Sequence, residues 1–241
     1  MADLVYPPVI AFAKTMFRAL NMKITIEGEE HVPASGGAVI ACNHISYLDF
    51  IFCGLGARRS KRLVRFMAKE EIFRHSIGGP LMRGMHHIPV DRDAGMGSYK
   101  AALTALKGGE VVGVFPEATI SPSFMIKDMK SGAARLAAAT GTPLVPMVLW
   151  GTQRFWTKGR PRDLTKRGVA VTIAMGEPLH PERRDPQDSV MAELRSRMTV
   201  LLDRVQRSYP QQPAGPEDAW WLPAHLGGTA PEPAVLEAEA Q

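Results

Sequence analysis

Ala38-Val39-Ile40-Ala41-Cys42-Asn43-His44-Ile45-Ser46-Tyr47-Leu48-Asp49 runs from an apolar strand, through a short polar turn, into the start of an apolar helix. A strand that hands polar side chains to the mouth of a helix is the building unit of an α/β fold, in which ligands sit at the carboxyl ends of strands. Outward from this stretch, strand-like apolar runs recur near 23–27, 37–42, 63–68, 86–91, 110–115, 143–149 and 169–175. Helical patterns fall between and around them near 47–56, 69–82, 96–108, 130–140 and 187–208. The alternation predicts an α/β fold with a largely parallel or mixed central sheet covered by helices. Pro146, inside the run 143–149, predicts a sheet edge or a bulge at that point.

An amphipathic helix is expected ahead of the sheet, over 7–21. Pro7 and Pro8 suit its first turn, and Val9, Ile10, Ala13, Met16, Phe17 and Leu20 share one stripe. That stripe suits packing on the domain or a lipid interface. Residues 1–22 are therefore read as an N-terminal helix with possible membrane contact, 23–209 as the α/β domain, and 210–241 as a Pro-, Ala- and Glu-rich mobile tail. Trp220-Trp221 is the exception in the tail, a pair able to dock on the domain or on lipid.

The 241 residues suffice for one sizeable core. Two cysteines, Cys42 and Cys53, offer neither a disulfide framework nor a metal-type spacing, so a reducing cytoplasm and no metal are expected. No basic-then-apolar leader opens the chain, and Gly141, Pro143 and Pro146 interrupt its uncharged stretch from Leu136 to Gln153. Any membrane contact is thus expected at the surface. The net charge of +5 conceals a more basic body, because residues 211–241 hold five acids and no Lys or Arg. The first 210 residues carry 29 bases against 19 acids, clustered in Arg58-Arg59-Ser60-Lys61-Arg62 with Arg65 and again from Arg154 to Arg167. Such clusters suit an ordinary solvated face, an anionic membrane surface or a phosphate-bearing ligand. Few aromatics and no groove-reading motif argue against nucleic acid.

An imidazole held by a carboxylate is the usual device for removing a hydroxyl proton near pH 7. Three of the seven histidines have an aspartate five positions later: His44/Asp49, His86/Asp91 and His180/Asp185. His86 and Asp91 lie in a strand-like run, where an odd separation sends side chains to opposite faces. His180 and Asp185 lie in a Pro- and Arg-rich linker with no apolar wall. His44 alone ends a buried strand. Ser46-x-x-Asp49 is also a capping-box pattern, so cap and catalytic dyad stand as alternatives for Asp49 at this point.

Three later segments close strands of their own: Ile88-Pro89-Val90-Asp91-Arg92, Phe115-Pro116-Glu117-Ala118-Thr119-Ile120-Ser121, and Pro143-Leu144-Val145-Pro146. Together with Asn43-His44-x4-Asp49, and in this order, they closely resemble the four blocks of the glycerolipid acyltransferases, of which the 1-acylglycerol-3-phosphate acyltransferases are the best-known members. The resemblance implies acyl transfer without a covalent enzyme intermediate. His44 would take the acceptor's hydroxyl proton as it attacks an acyl thioester, acyl-CoA or acyl carrier protein, and Asp49 would orient the ring. Arg92 would hold the acceptor's phosphate, and Glu117 with Thr119 would order the acceptor site. No cofactor is implied, and the chain has no G-x-S-x-G elbow to supply a serine nucleophile.

The third block of the family usually reads Phe-Pro-Glu-Gly-Thr-Arg-Ser. Here Ala118 and Ile120 replace its glycine and arginine. Lys127 or Lys130 is the candidate substitute for the lost phosphate contact. Lysophosphatidate is the favoured acceptor because Arg92 is retained, with another lysophospholipid or glycolipid as the alternative. A thioesterase, in which water replaces the lipid hydroxyl, and an inactive lipid-binding protein are the competing functions. The implied setting is monotopic, on the anionic cytoplasmic leaflet.

Overall fold

The computed structural model describes residues 3–58, 60–91 and 96–233. Its elements in chain order are α1 (Tyr6–Ala19), β1 (Lys23–Glu27), β2 (Ala38–Cys42), α2 (Asp49–Gly56), β3 (Val64–Lys69), α3 (Glu70–Arg74), α4 (Gly78–Gly84), β4 (Ile88–Val90), α5 (Met96–Lys107), β5 (Val111–Val114), α6 (Gly132–Thr140), β6 (Leu144–Trp150), β7 (Ala170–Met175) and α7 (Gln187–Arg207). The strands form one sheet in the order β1-β7-β6-β2-β5-β3-β4, parallel throughout except between β6 and β7. The mixed α/β architecture expected from the sequence is therefore present, with α1 ahead of it.

The central strands are apolar on both faces because both faces are covered. On one side Val39, Ala41, Val112, Val148 and Ala174 pack with α5, α6 and α7. On the other Ile40, Cys42, Phe66, Met147 and Ile173 meet α2, and the ring of Phe17 from α1 stacks on Phe52 at 5.1 Å. Pro146 lies on an interior strand rather than an edge, and the bulge is the form its strain takes. Leu144 bridges Leu179, yet Met147 pairs with Met175, so the antiparallel register slips by one residue at the proline. The missing N–H of Pro146 faces that slip, where only its carbonyl is used, accepting from Gly176 N at 2.9 Å.

Three expectations are corrected. The helix read over 69–82 is two helices. Pro80 cannot continue α3 but fits the first turns of α4, while His75 Nδ1 accepts from Ile77 and Gly78 N at the break. The strand read over 86–91 begins only at Ile88, because His86 is left-handed at φ 56°. The C-terminal segment is folded onto the domain as far as 233: short 3-10 turns span Pro216–Trp221 and Ala224–Leu226, and Trp221, Leu222 and Ala230 join the core. Residues 234–241 lie outside the described residues.

Both basic clusters turn inward in part. Arg65 is buried and forks onto Asp3 at 2.8 and 3.0 Å and onto Glu110 at 2.9 and 3.2 Å, tying the start of the chain to the sheet. Arg62 donates to the carbonyls of Pro33, Gly36 and Gly109. Arg154 is buried, donates to Gln211 Oε1 and lies 4.5 Å from the Trp221 ring centroid. Arg59 lies outside the described residues.

Candidate active site

The carboxyl ends of the parallel strands β2, β5 and β6 converge on one place. Where β2 leaves the sheet, the Asn43 side chain continues its ladder: Oδ1 accepts from Leu149 N at 2.7 Å and Nδ2 donates to Leu149 O at 3.1 Å. The next residue, His44, is thereby set at the strand mouth. Its Nδ1 lies 3.0 Å from Asp49 Oδ2, with Asp49 fully buried and the histidine side chain 21% exposed. A ring that donates from Nδ1 carries its basic lone pair on Nε2.

Asp49 is the first residue of α2, with Leu48 at the cap position and no side-chain cap, so the capping-box alternative is not realised. Its Oδ2 also accepts from Ile45 N and Ser46 N, each at 2.7 Å, in the turn that precedes the helix. Ser46 Oγ accepts from Leu48 N and donates to Trp156 O. The other carboxylate oxygen, Oδ1, accepts from Thr152 Oγ1 at 2.6 Å.

Glu117 acts on the main chain of His44. Its Oε1 accepts from His44 N at 2.9 Å and its Oε2 from Lys127 N at 3.2 Å. Ser121 N donates to His44 O at 2.7 Å, so the histidine backbone is held from both sides by the loop after β5. Burial pushes the Glu117 carboxyl up to about 7, against the two amide donors, which favour its charged form. The Phe115 ring stacks on His44 at 4.5 Å and closes the apolar wall behind it.

Of the remaining predicted residues, Lys127 and Thr119 meet: Lys127 Nζ donates to Thr119 Oγ1 at 2.5 Å. Burial, with Lys158 adding in the same sense, holds the Lys127 ammonium below its ordinary value, and Glu117 opposes this. Lys130 is exposed, its backbone N–H spent on Pro116 O. Arg92 lies outside the described residues. His180 is exposed, and Asp185 Oδ2 accepts from Glu182 N within its own turn. His86 faces Asp3 at 3.5 Å.

Two residues escaped the sequence reading. Thr152 was traceable only as a hydroxyl just past the Val145-Pro146 strand, and Phe115 only as the aromatic opening the third block. Ala118 occupies the turn at φ 60°, where a Cβ costs about 1–2 kcal/mol, less the chain entropy that glycine would lose on folding. Ala118→Gly is accordingly expected to stabilise the protein by about 0.5–1 kcal/mol. Thermal melting should show a rise of about 2 °C, and an unchanged or lower midpoint would contradict this assignment of strain.

Comparison with known proteins matches residues 23–150 to the family described as Acyltransferase. The 1-acyl-sn-glycerol-3-phosphate acyltransferase of Bacillus subtilis is 33% identical over 171 residues, 70% of this chain and 80% of that protein. A chloroplastic protein of the same activity from Arabidopsis thaliana is 34% identical over 185 residues, 75% of this chain, which spans 49% of that longer protein. The solved 1-acyl-sn-glycerophosphate acyltransferase of Thermotoga maritima shares the fold, with a TM-score of 0.70 at 24% identity over 85% of this chain and 81% of its own.

Proposed function

This chain belongs to the acyltransferase family, and from that membership we propose that it moves a fatty acyl group from an acyl thioester to the glycerol hydroxyl of 1-acylglycerol 3-phosphate, giving phosphatidic acid. The observation that carries the reading is the buried Asp49 carboxylate on Nδ1 of a partly exposed His44, at the carboxyl end of a central strand. His44 Nε2 takes the proton as the hydroxyl oxygen attacks the thioester carbonyl. The tetrahedral intermediate then expels the thiolate, which recovers the proton from His44. Asp49 offsets the imidazolium charge between these steps. Arg92 is assigned to the acceptor phosphate, and the Lys127–Thr119 pair, with Lys130, is assigned to the acceptor as well. The donor is acyl-CoA or acyl carrier protein, and no cofactor enters the reaction.

Lifting a chain of about 16 carbons out of a bilayer costs on the order of 10 kcal/mol, so the reaction belongs at the membrane surface. Among the described residues no helix is long and apolar enough to cross a membrane. Most of the exposed large apolar side chains belong to α1–α5 and their approaches, including Leu4, Phe12, Met16, Phe50, Ile72, Ile77 and Leu81. On α1 the burial inverts part of the sequence reading. Phe17 and Leu20 pack on the domain, while Phe12, 66% exposed, and Met16 one turn later point outward. Monotopic binding through this outer row is the proposed mode. Two free, buried cysteines suit the cytoplasmic leaflet.

The second reading, a different lysolipid headgroup, is favoured by Ile120, which is buried where the family carries arginine. One experiment separates them: a panel of lysolipids in anionic vesicles, with one acyl-CoA and mass spectrometry of the products. Phosphatidic acid should dominate, and Phe12→Glu/Met16→Glu should stay in the supernatant when the vesicles are sedimented. A product made only from diester lysolipids would establish the second reading. Free fatty acid formed at equal rates with and without acceptor would replace transfer with hydrolysis.

A further inference from the structure

Asp49 is gripped unevenly. Three donors converge on Oδ2, whereas Thr152 Oγ1 alone among the described residues holds Oδ1, at 2.6 Å and with no exposure of either side chain. Rotation of the carboxylate about its Cβ–Cγ bond is therefore resisted at Oδ1 by one hydroxyl. That hydroxyl rides on a turn fixed by residues remote from His44. Gly151, at φ 100°, approaches Ala170 O so closely that a Cβ would stand 2.1 Å away. Its N–H donates to Gln153 Oε1 at 2.8 Å, and Gln153 Nε2 donates to Trp221 O at 3.2 Å. Arg154, the last residue of the turn, is held by Gln211 and stacked on Trp221.

We propose that Thr152 is a positioning residue for acyl transfer, setting the plane of the Asp49 carboxylate so that Oδ2 meets His44 Nδ1, and that the segment from Gln211 to Trp221 holds the turn from which it does so. The kinetic part rests on the function proposed above. A hydrogen bond to a charged group carries enough energy for a rate effect well beyond simple packing, while Thr152 itself, buried behind Asp49, has no route to touch substrate.

Thr152→Val keeps the shape and removes the donor, and Thr152→Ser keeps the donor. Valine is expected to lower kcat by about 10- to 100-fold with KM for both substrates within about twofold, and serine to restore kcat to within about threefold of the parent. Independently of turnover, the Nδ1–H proton resonance of His44, assigned by its loss in His44→Ala, should be visible in the parent and in Thr152→Ser. It should vanish or broaden in Thr152→Val while the signals of buried His87 stay in place. A valine variant with parental kcat and an unaltered His44 resonance would overturn the proposal. If the parent transfers no acyl group to any acceptor, the proposed function fails and the resonance alone decides the role of Thr152.

Discussion

His44→Ala is expected to lower acyl transfer by about 10²- to 10⁴-fold, the usual range for loss of a positioned general base. The fold should tolerate the change. The imidazole is partly exposed, and the contacts that fix this position run through its main chain, to Glu117 and from Ser121. Asp49 loses one donor but keeps Ile45 N, Ser46 N and Thr152 Oγ1, so the penalty to stability should be about 1 kcal/mol. Turnover on vesicles, read beside a urea titration, checks both halves. Activity within about threefold of the parent would remove His44 from the mechanism, and collapse of the urea transition would make the loss uninformative about chemistry.

Asp49→Asn should cost nearly as much and for a different reason. An asparagine carbonyl at the Oδ2 position can still accept from Ile45 N, Ser46 N and the His44 ring, while its amide faces the Thr152 hydroxyl, which can accept. Geometry is thus largely preserved and the negative charge is deleted. What disappears is the partner for the imidazolium that forms during attack, so kcat is expected to fall about 10²- to 10³-fold with KM little changed. Steady-state kinetics of the variant on lysophosphatidate vesicles decide the matter. A rise in KM with kcat retained would show that Asp49 serves binding instead.

Much of this site is legible in the sequence. The central strands fell where apolar runs put them, because a doubly covered sheet needs both faces apolar and so writes β2 and β6 as continuous runs. The order of those strands left no such trace: β7 lies between β1 and β6 through contacts distant in sequence. His44 and Asp49 were visible as a pair because one turn holds both. Thr152 lies 103 residues from Asp49 and shares with it only a sheet mouth, so nothing local announces it. Composition also misled over the C-terminal segment. Proline and alanine there suggested a chain unable to bury enough surface, yet Trp221 brings a full aromatic side chain to the core. Glu117 was expected to order the acceptor site; in the structure both its oxygens are occupied by backbone amides, those of His44 and Lys127.

The inward turn of the arginines has a consequence for ionic strength. Long-range attraction between exposed charges fades beyond about 8 Å at physiological salt, whereas a buried ion pair is screened far less. Arg65 is committed to Asp3 and Glu110, Arg62 to carbonyls, Arg154 to Gln211 and Trp221, and Lys166 lies 3.8 Å from Asp218. These arginines have their hydrogen-bonding capacity committed to the protein, so they cannot also grip a lipid headgroup directly. Adhesion that rests on Leu4, Phe12 and Met16 would persist in concentrated salt, where adhesion by a basic patch would dissolve.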